Sequence, residues 1–294
     1  MAVLQERAAE TAAANYLKLN TAFGTASLTA DKRAAADTEA KEALSDGISS
    51  GQLEVYYQPK HDTVTGRLVG AEALVRWKHP AKGLLCPKHF LPQFEKNDLI
   101  SQLDQYVWSK VCKDLRAWID DGVPVIPISV NTAKQDYQSG DFWGRWSKSV
   151  EENAIPSELL HIEIAETVVA ESEEELLHQL DFCRSRGIQV EIDDFGTGYS
   201  SLSRLNAYPI DVIKLDKSFI DNRTEKCACI IKACINMAKA LNMKIIAEGV
   251  ETDEQMQMLK EMDCDIVQGF YYAEPMTCEE FGSYMQNNLC EACS

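Results

Sequence analysis

Long apolar segments are missing from this 294-residue chain, and so is a leader of the secretory type. No run of about 18 apolar residues occurs, which is the length that a membrane-spanning helix requires. The first residues also lack a basic stretch followed by an apolar block. We therefore expect a cytoplasmic protein with no membrane segment in this chain.

Positive charge is scarce as well. The chain has 29 Lys and Arg residues against 46 Asp and Glu residues, which gives a formal net charge of −17. A field of this sign repels nucleic acid polymers and anionic lipid surfaces. A small phosphorylated ligand remains compatible with this charge, because bound metal ions reverse the sign of the field locally.

Paired cysteine motifs are few for a chain with 10 cysteines. The cysteines are scattered, several fall inside predicted helices, and a chain of this length needs no covalent cross-links to hold its core. Cys290 and Cys293 have the C-x-x-C spacing of metal and redox sites, but neither a second pair nor a nearby histidine accompanies them. We expect reduced thiols, and a frayed helix end at that pair.

Residues 1–40 differ in composition from the rest of the chain. They are rich in alanine and in charged residues, which favours helices, and the letters TAD carry a helix start signal. We expect two helices around the turn TAFGTAS, acting as a linker or as the remnant of an upstream domain. Residues 41–294 would then form the main domain.

Eight short β-rich runs alternate with helical patterns from residue 41 onward. The runs are LEVYYQPKHD, LVGAEALVRW, PVIPISVN, LLHIEIAE, IQVEIDD, VIKLD, KIIAEGV and DIVQGFYY. The short turn DTVTG between the first two runs predicts an antiparallel hairpin. The alternation predicts an α/β fold, most simply a TIM-like (β/α)8 barrel with an antiparallel first strand. An open doubly wound sheet is the alternative.

Acidic and amide side chains stand where successive runs end, together with one cation, Lys214. They are Glu72, Asn131, Glu163, Asp193, Asp194, Glu248 and Gln268. In a parallel α/β barrel the strand ends converge on one face. Two carboxylates about 4 Å apart repel by roughly 4 kcal/mol at an effective dielectric of about 20, so the crowded acids must either be protonated or be neutralised by metal ions. An all-oxygen set without a strand-end histidine favours Mg²⁺ or Mn²⁺ over Zn²⁺.

The tandem Asp193–Asp194 is the sharpest of these signals. Adjacent side chains at a strand terminus point in different directions, so the two aspartates can address two ions. Paired ions about 3.5–4 Å apart recur in phosphodiester cleavage. Lys214 has two interpretations, an ion pair with an acid such as Asp216 or a group that orients or deprotonates the attacking water. Arg76 offers either a forked donor for a phosphate or a surface ion pair.

The order of the motifs resembles a known family. YYQPKHD, GAEALVRW, SVN, IEIAE, DDFGTGYSSL, PIDVIKLD, AEGVE and QGFYYAEPM are similar to the successive motifs of EAL-domain cyclic di-GMP phosphodiesterases, over about residues 41–290. The resemblance implies a TIM-like barrel that hydrolyses one phosphodiester bond of cyclic di-GMP to give linear pGpG. It also implies two cofactor ions, Mg²⁺ or Mn²⁺, and a role in lowering this bacterial second messenger.

Carried over position by position, the resemblance implies three groups of site residues. The metal ligands would be Glu72, Asn131, Glu163, Asp193, Asp194 and Glu248. The catalytic residues would be Glu72, Asp193, Glu248, Lys214, Gln268 and Glu166. The ligand contacts would be Gln58, Leu74, Arg76 and Glu251.

Individual roles follow from the same resemblance. Asp193 would bridge the two ions, and Lys214 and Gln268 would act on the attacking water. Glu166 would steady the loop after Asp194, which in relatives joins metal binding to dimer contacts. We therefore expect a homodimer, and an upstream sensory or regulatory domain of the kind that usually supplies the input signal in relatives.

The chain departs from the family pattern at two places. Ala165 stands where the family usually has Thr, and Lys60–His61 replaces a pair that is commonly hydrophobic. Neither departure removes a metal ligand, so we expect an intact site with altered loop control, and His61 at the hairpin edge. The alternative functions are a non-catalytic cyclic di-GMP receptor or interaction module, and a barrel enzyme acting on another phosphoester.

Overall fold

The computed structural model describes residues 30–138, 142–171, 174–197, 205, 207–222 and 224–290. Contacts between residues divide the chain into two units, Met1–Ser45 and Asp46–Ser294. Helix α1 spans Ala30–Ser49, so a domain boundary at residue 40 falls within a helix. The other helix that we expect near the N-terminus, and the turn TAFGTAS, lie outside the described residues.

Strands and helices alternate along the second unit. The strands are β1 (Leu53–Asp62), β2 (Leu68–His79), β3 (Gly83–Leu85), β4 (Ile128–Thr132), β5 (Leu160–Ala165), β6 (Gln189–Phe195), β7 (Val212–Leu215), β8 (Lys244–Glu248) and β9 (Ile266–Gln268). The helices are α2 (Leu91–Lys96), α3 (Ile100–Asp120), α4 (Lys134–Gln138), α5 (Phe142–Glu152), α6 (Glu166–Glu171), α7 (Glu174–Ser185), α8 (Lys217–Asp221), α9 (Glu225–Ala240), α10 (Asp253–Glu261) and α11 (Cys278–Cys290).

The strands close into a barrel. Their order in the sheet is β1-β9-β8-β7-β6-β5-β4-β2-β3, and a further pairing between β1 and β2 completes the ring. Strand β1 runs antiparallel to both neighbours, whereas β2 and β4 to β9 pair in parallel; β3 extends β2 outside the ring. The predicted TIM-like barrel with an antiparallel first strand is confirmed, and the closure excludes the open sheet.

Helix α3 illustrates how the outer layer of helices covers the barrel. Four of its apolar residues recur at every fourth position and are buried, namely Leu103, Val107, Val111 and Leu115. This spacing places them on one face of the helix, and burying that face is what holds the helix in place. None of the helices in the described part of the chain is long and apolar enough to cross a membrane.

Alternation along each strand creates two interior layers of side chains. The strand-end layer contains Gln58, Glu72, Asn131, Glu163, Asp193, Lys214, Glu248 and Gln268. The layer beneath it, which we call the lower layer, lies two residues earlier on the parallel strands. It contains Gly70, Ser129, His161, Glu191, Val212, Ile246 and Ile266, together with Lys60 from the antiparallel β1.

Candidate active site

The register of the strands brings the predicted site residues side by side. Asn131 of β4 pairs with Glu163 of β5, and Glu248 of β8 pairs with Gln268 of β9. Gln58 reaches the same face because β1 is antiparallel and stands opposite β2. Residues from eight strands therefore meet at one end of the barrel, as the strand-end pattern predicts.

Lys214 lies at the centre of this group with a side chain that is 1% exposed. Its Nζ is within ion-pair distance of four carboxylate oxygens: Glu163 Oε2 at 2.6 Å, Glu248 Oε1 at 2.8 Å, Asp193 Oδ1 at 3.0 Å and Glu72 Oε2 at 3.3 Å. The pairing is with strand-end acids rather than with Asp216. Asp216 Oδ1 instead accepts a hydrogen bond from Ser218 N at 3.0 Å and caps helix α8.

The carboxylates form two overlapping groups that could each hold a metal ion. Glu72, Glu163 and Asp193 offer oxygen atoms within 4.8 Å of one another, and so do Asp193, Asp194 and Glu248. Asp193 belongs to both groups. A carboxylate shared by two such groups is suited to contact two metal ions, which is the position that the tandem Asp193–Asp194 suggests.

Two amide side chains hold the Glu72 carboxylate from either side. Asn131 Nδ2 donates to Glu72 Oε1 at 3.1 Å, and Gln268 Nε2 donates to Glu72 Oε2 at 2.6 Å. Gln268 Nε2 also donates to Gln58 Oε1 at 3.2 Å. The buried Oε1 of Gln268 accepts no hydrogen bond from the described residues, so an oxygen lone pair remains available beside the carboxylates.

Three of the crowded acids retain protons more tightly than ordinary carboxylates. Burial would also raise the pKa of Glu72, but the charges of Lys214 and Lys60 outweigh it and lower that pKa. Burial raises the pKa of Glu248 to about 8, and burial followed by repulsion from Asp193 raises the pKa of Asp194. Burial and the charge of Glu72 raise the pKa of Glu163 well above its usual value. Burial alone would lower the pKa of Lys214, but the four acids outweigh it and raise that pKa. Lys214 is therefore a stable ammonium ion in this arrangement.

The charge of the barrel interior fits two divalent cations. Two ammonium groups, those of Lys60 and Lys214, stand among six carboxylates. The carboxylates are Glu72, Glu163, Glu191, Asp193, Asp194 and Glu248. Fully ionised, this set carries four negative charges, which two divalent ions would cancel. The oxygen-only donors are those that Mg²⁺ and Mn²⁺ prefer.

The loop after Asp194 is held by a buried acid. Gly196 N donates to Glu166 Oε2 at 2.8 Å, and Glu166 at the start of α6 is 3% exposed. Gly196 has a φ of +95°, and a Cβ there would lie 2.7 Å from the Phe219 ring, so only glycine fits. The contact supports the expected role of Glu166, although residues 198–204 lie outside the described residues.

An open cleft of about 270 Å³ adjoins the carboxylates. Of the four ligand contacts expected from the sequence, Gln58, Leu74 and Glu251 line it. Arg76 does not. It lies further along β2, where its Nη1 donates to the carbonyl of Val75 at 2.9 Å. The structure therefore brings three of these residues to the cleft and leaves the Arg76 contact as a prediction.

Lys60 is a residue that the sequence analysis missed, because we treated it only as a departure from the family pattern. Its side chain is 4% exposed, and Nζ lies 2.9 Å from Glu163 Oε1 and 2.7 Å from Glu191 Oε2. The available signal was periodicity. Lys60 is two residues from Gln58, and Glu191 is two residues from Asp193, so each shares an inward-facing side with a site residue.

The other departures lie beside the site or outside the barrel. Ala165 ends β5 in register with Asp193 and brings no hydroxyl to that position. His61 pairs with Leu68 at the turn end of the β1–β2 hairpin, and it is buried there. It is 1% exposed, its ring centroid lies 3.8 Å from that of Tyr272, and its Nε2 lies 3.1 Å from Tyr284 Oη. Burial lowers the pKa of His61 to about 4. A neutral ring therefore fills the space outside β1.

Together the fold and the site define a class of protein: a closed α/β barrel with a cluster of carboxylate and amide oxygens at its strand ends that could bind divalent cations. A family model described as EAL domain matches residues 41–275, and the chain belongs to the EAL domain family.

Similar proteins agree with this membership. The chain is 34% identical over 249 residues to Oxygen sensor protein DosP of Escherichia coli (strain K12), covering 84% of this chain and 31% of that protein. It is 35% identical over 254 residues to Cyclic di-GMP phosphodiesterase NbdA of Pseudomonas aeruginosa, covering 85% of this chain and 32% of that protein. The chain thus spans about a third of the length of these relatives.

A solved structure shares the fold over nearly its full length. It is described as PaMucR phosphodiesterase in a c-di-GMP complex, with a TM-score of 0.78 and 33% sequence identity. The similarity covers 83% of this chain and 99% of that chain.

Proposed function

We propose that this chain hydrolyses cyclic di-GMP to linear pGpG with the help of two divalent cations, Mg²⁺ or Mn²⁺. The observation that carries the proposal is the convergence of the strand-end carboxylates around Lys214, with Asp193 shared between two groups of acids. The described part of the site has every carboxylate and amide ligand expected from the resemblance. Membership of the EAL family and the similarity to Cyclic di-GMP phosphodiesterase NbdA support the choice of substrate.

The two groups of acids divide the metal ligands between two ions. One ion would be held by Glu72, Asn131 and Glu163, the other by Asp194 and Glu248, and Asp193 would contact both. Once bound, such ions acidify water and offset the negative charge of a phosphodiester. In the metal-free protein Glu163 Oε2 and Asp193 Oδ1 contact Lys214. The same two atoms would be available to the cations.

Lys214 would orient or deprotonate the attacking water, and as an ammonium group it can also stabilise charge that develops on the phosphate oxygens. In the metal-free protein four acids raise its pKa, so there it is a donor. Gln268 assists by holding Glu72 and by presenting its free Oε1 to water. Glu166 positions the backbone of the loop that follows Asp194.

The cleft beside the carboxylates would receive the dinucleotide. Gln58, Leu74 and Glu251 would contact it there, and the forked guanidinium of Arg76 would meet a phosphate further along β2. Residues 41–294 would form this cytoplasmic catalytic domain as a homodimer. Residues 1–40 would link it to an upstream sensory or regulatory domain, in keeping with the greater length of the curated relatives.

One assay separates the proposal from its alternatives. Purified protein is incubated with cyclic di-GMP and Mn²⁺, with and without a chelator, and pGpG is followed by chromatography. We expect product only with free Mn²⁺, and nearly none from Glu72→Gln, which keeps the shape of the side chain but removes its charge. The exposed acid Glu279, changed to Gln, is the matched control. Tight binding without product would instead indicate a receptor, and no binding an unrelated barrel.

A further inference from the structure

The lower layer of the barrel is polar on one side, at a depth where barrels of this type are usually filled by bulky branched residues. Lys60, Ser129, His161 and Glu191 face one another there. On the other side lie Gly70 and apolar strand residues, and residues of both sides line a cavity of about 150 Å³. Polar side chains buried in this way require a specific role or full mutual satisfaction.

Lys60 is at the centre of this buried group. Its Nζ donates to Ser129 Oγ at 2.6 Å, to Glu191 Oε2 at 2.7 Å and to Glu163 Oε1 at 2.9 Å. These contacts use all three ammonium protons. An ammonium group in this position is bound to its partners, because a buried charge separated from its counter-charges is left uncompensated.

Glu163 is consequently held through both of its oxygens. Oε1 accepts from Lys60 and also from Ser129 Oγ, both in the lower layer. Oε2 faces the opposite way and contacts Lys214 in the strand-end layer. Glu163 Oε1 is therefore held by residues of the lower layer, and Oε2 alone faces the candidate metal site.

Glu191 supplies the anchor on the far side of Lys60. Its Oε2 accepts from Lys60, while its Oε1 lies 2.8 Å from His161 Nδ1. The chain of contacts runs from His161 through Glu191 and Lys60 to Glu163. Each oxygen of the two carboxylates has a partner, so the network is fixed at both ends.

We propose that Lys60, anchored by Glu191, is a positioning residue that holds Glu163 so that Oε2 alone faces the metal site. The inference rests on the proposed function, since it assigns Lys60 to the support of a metal ligand. Lys60 is not among the residues that line the cleft. It acts through Glu163, and its effect is to keep that ligand to a single oxygen in one orientation.

The test compares a double variant, in which Lys60 and its partner Glu191 are both replaced, with a control variant at Lys244. Lys60→Met alone would leave the buried Glu191 carboxylate without its cation and destabilise the fold. The double variant Lys60→Met/Glu191→Met removes both charges and fills the space, and its thermal unfolding establishes that it folds. Lys244→Met is the control: Lys244 borders the same cavity on the exposed start of β8, but Glu163 forms its ion pairs with Lys60 and Lys214 instead.

Mn²⁺ affinity is measured from the electron paramagnetic resonance signal of free Mn²⁺, which does not depend on turnover, and kcat and KM are measured in parallel. We expect the double variant to bind Mn²⁺ about 10- to 100-fold more weakly, with a lower kcat and a similar KM for cyclic di-GMP. Lys244→Met should stay within about twofold of the parent, which is the scatter expected of surface changes.

The outcomes separate this inference from the proposed function. Parental Mn²⁺ affinity in the folded double variant would overturn the positioning role and leave the phosphodiesterase proposal intact. Weaker Mn²⁺ binding in the double variant, combined with no pGpG from the parent protein, would support the positioning role and overturn the phosphodiesterase. Failure of the parent protein to bind Mn²⁺ would overturn both.

Discussion

Glu166 Oε2 accepts a hydrogen bond from Gly196 N at 2.8 Å, which ties the first turn of α6 to the loop that follows the tandem aspartate. The two residues are thirty positions apart in the chain, but strands β5 and β6 are neighbours, so their ends lie side by side. A backbone N–H is held by a buried carboxylate here, a charge-assisted contact that is stronger than one between neutral groups.

Removing this contact should weaken metal binding without removing a metal ligand. For Glu166→Ala we expect about a 10- to 100-fold rise in the Mn²⁺ concentration required for half-maximal turnover. Glu166→Gln keeps an acceptor oxygen, so its Mn²⁺ requirement should lie between those of the parent protein and Glu166→Ala. Glu152→Ala, at an exposed position of α5, is the control. An unchanged Mn²⁺ requirement in Glu166→Ala would contradict the role of this contact.

Replacing Lys214 should separate catalysis from stability. Lys214→Met removes the donor that faces four acids, so kcat should fall by about 10²- to 10³-fold, the cost of losing one preorganised donor. The metal-free variant should also lose about 3–5 kcal/mol of unfolding free energy, because buried acids lose their cation. Added Mn²⁺ should recover much of that loss.

Urea denaturation with and without Mn²⁺ measures the stability part, and a pGpG assay measures the catalytic part. Lys148→Met, which removes a largely exposed ammonium group from α5, should change neither quantity. Turnover by Lys214→Met at the parental rate would show that the lysine is only structural.

The raised pKa of Glu248 predicts an unusual dependence of stability on pH. A carboxyl group with a pKa of about 8 in the folded protein and about 4.5 in the unfolded chain binds more protons when folded. Its contribution to stability is therefore largest below about pH 4.5 and is lost as the pH rises towards 8. Glu248→Gln cannot ionise at this position. The unfolding free energy of this variant, relative to that of the metal-free parent, should therefore increase as the pH rises across this window.

The measurement is the difference in unfolding free energy between Glu248→Gln and the parent at several pH values in the presence of a chelator. Glu279→Gln gives the baseline for removing an exposed acid. The difference should shrink when Mn²⁺ is added to the parent, because a bound cation stabilises the ionised carboxylate. A difference that stays flat with pH would rule out the raised pKa.

Glu251 should contribute to substrate binding more than to the chemical step. It borders the cleft, where its Oε1 accepts a hydrogen bond from Lys217 Nζ at an exposed position. For Glu251→Gln we expect KM for cyclic di-GMP to rise about two- to tenfold, equivalent to about 0.4–1.4 kcal/mol, with kcat nearly unchanged. Steady-state kinetics test this, with Glu261→Gln as the control. A fall in kcat at constant KM would place Glu251 in the chemistry instead.

The barrel and most of the carboxylate centre could be predicted from the chain alone. A strand is recognisable from its own residues, and a site residue such as Glu163 or Asp193 stands where a run ends. The location of Arg76 outside the cleft could not be predicted in this way. Its distance from the cleft depends on how far β2 extends beyond the carboxylates, which the local pattern does not encode.

The sequence by itself determined the alternation of strands and helices and the oxygen donors at the strand ends, because both are periodic features written along the chain. Only the tertiary structure decided which acids surround Lys214 and that Lys60 supports Glu163 from below. Lys60 and Glu163 are 103 residues apart and meet only through the closure and register of the barrel. Contacts of this kind depend on distances of a few ångströms between distant segments, and no local pattern specifies them.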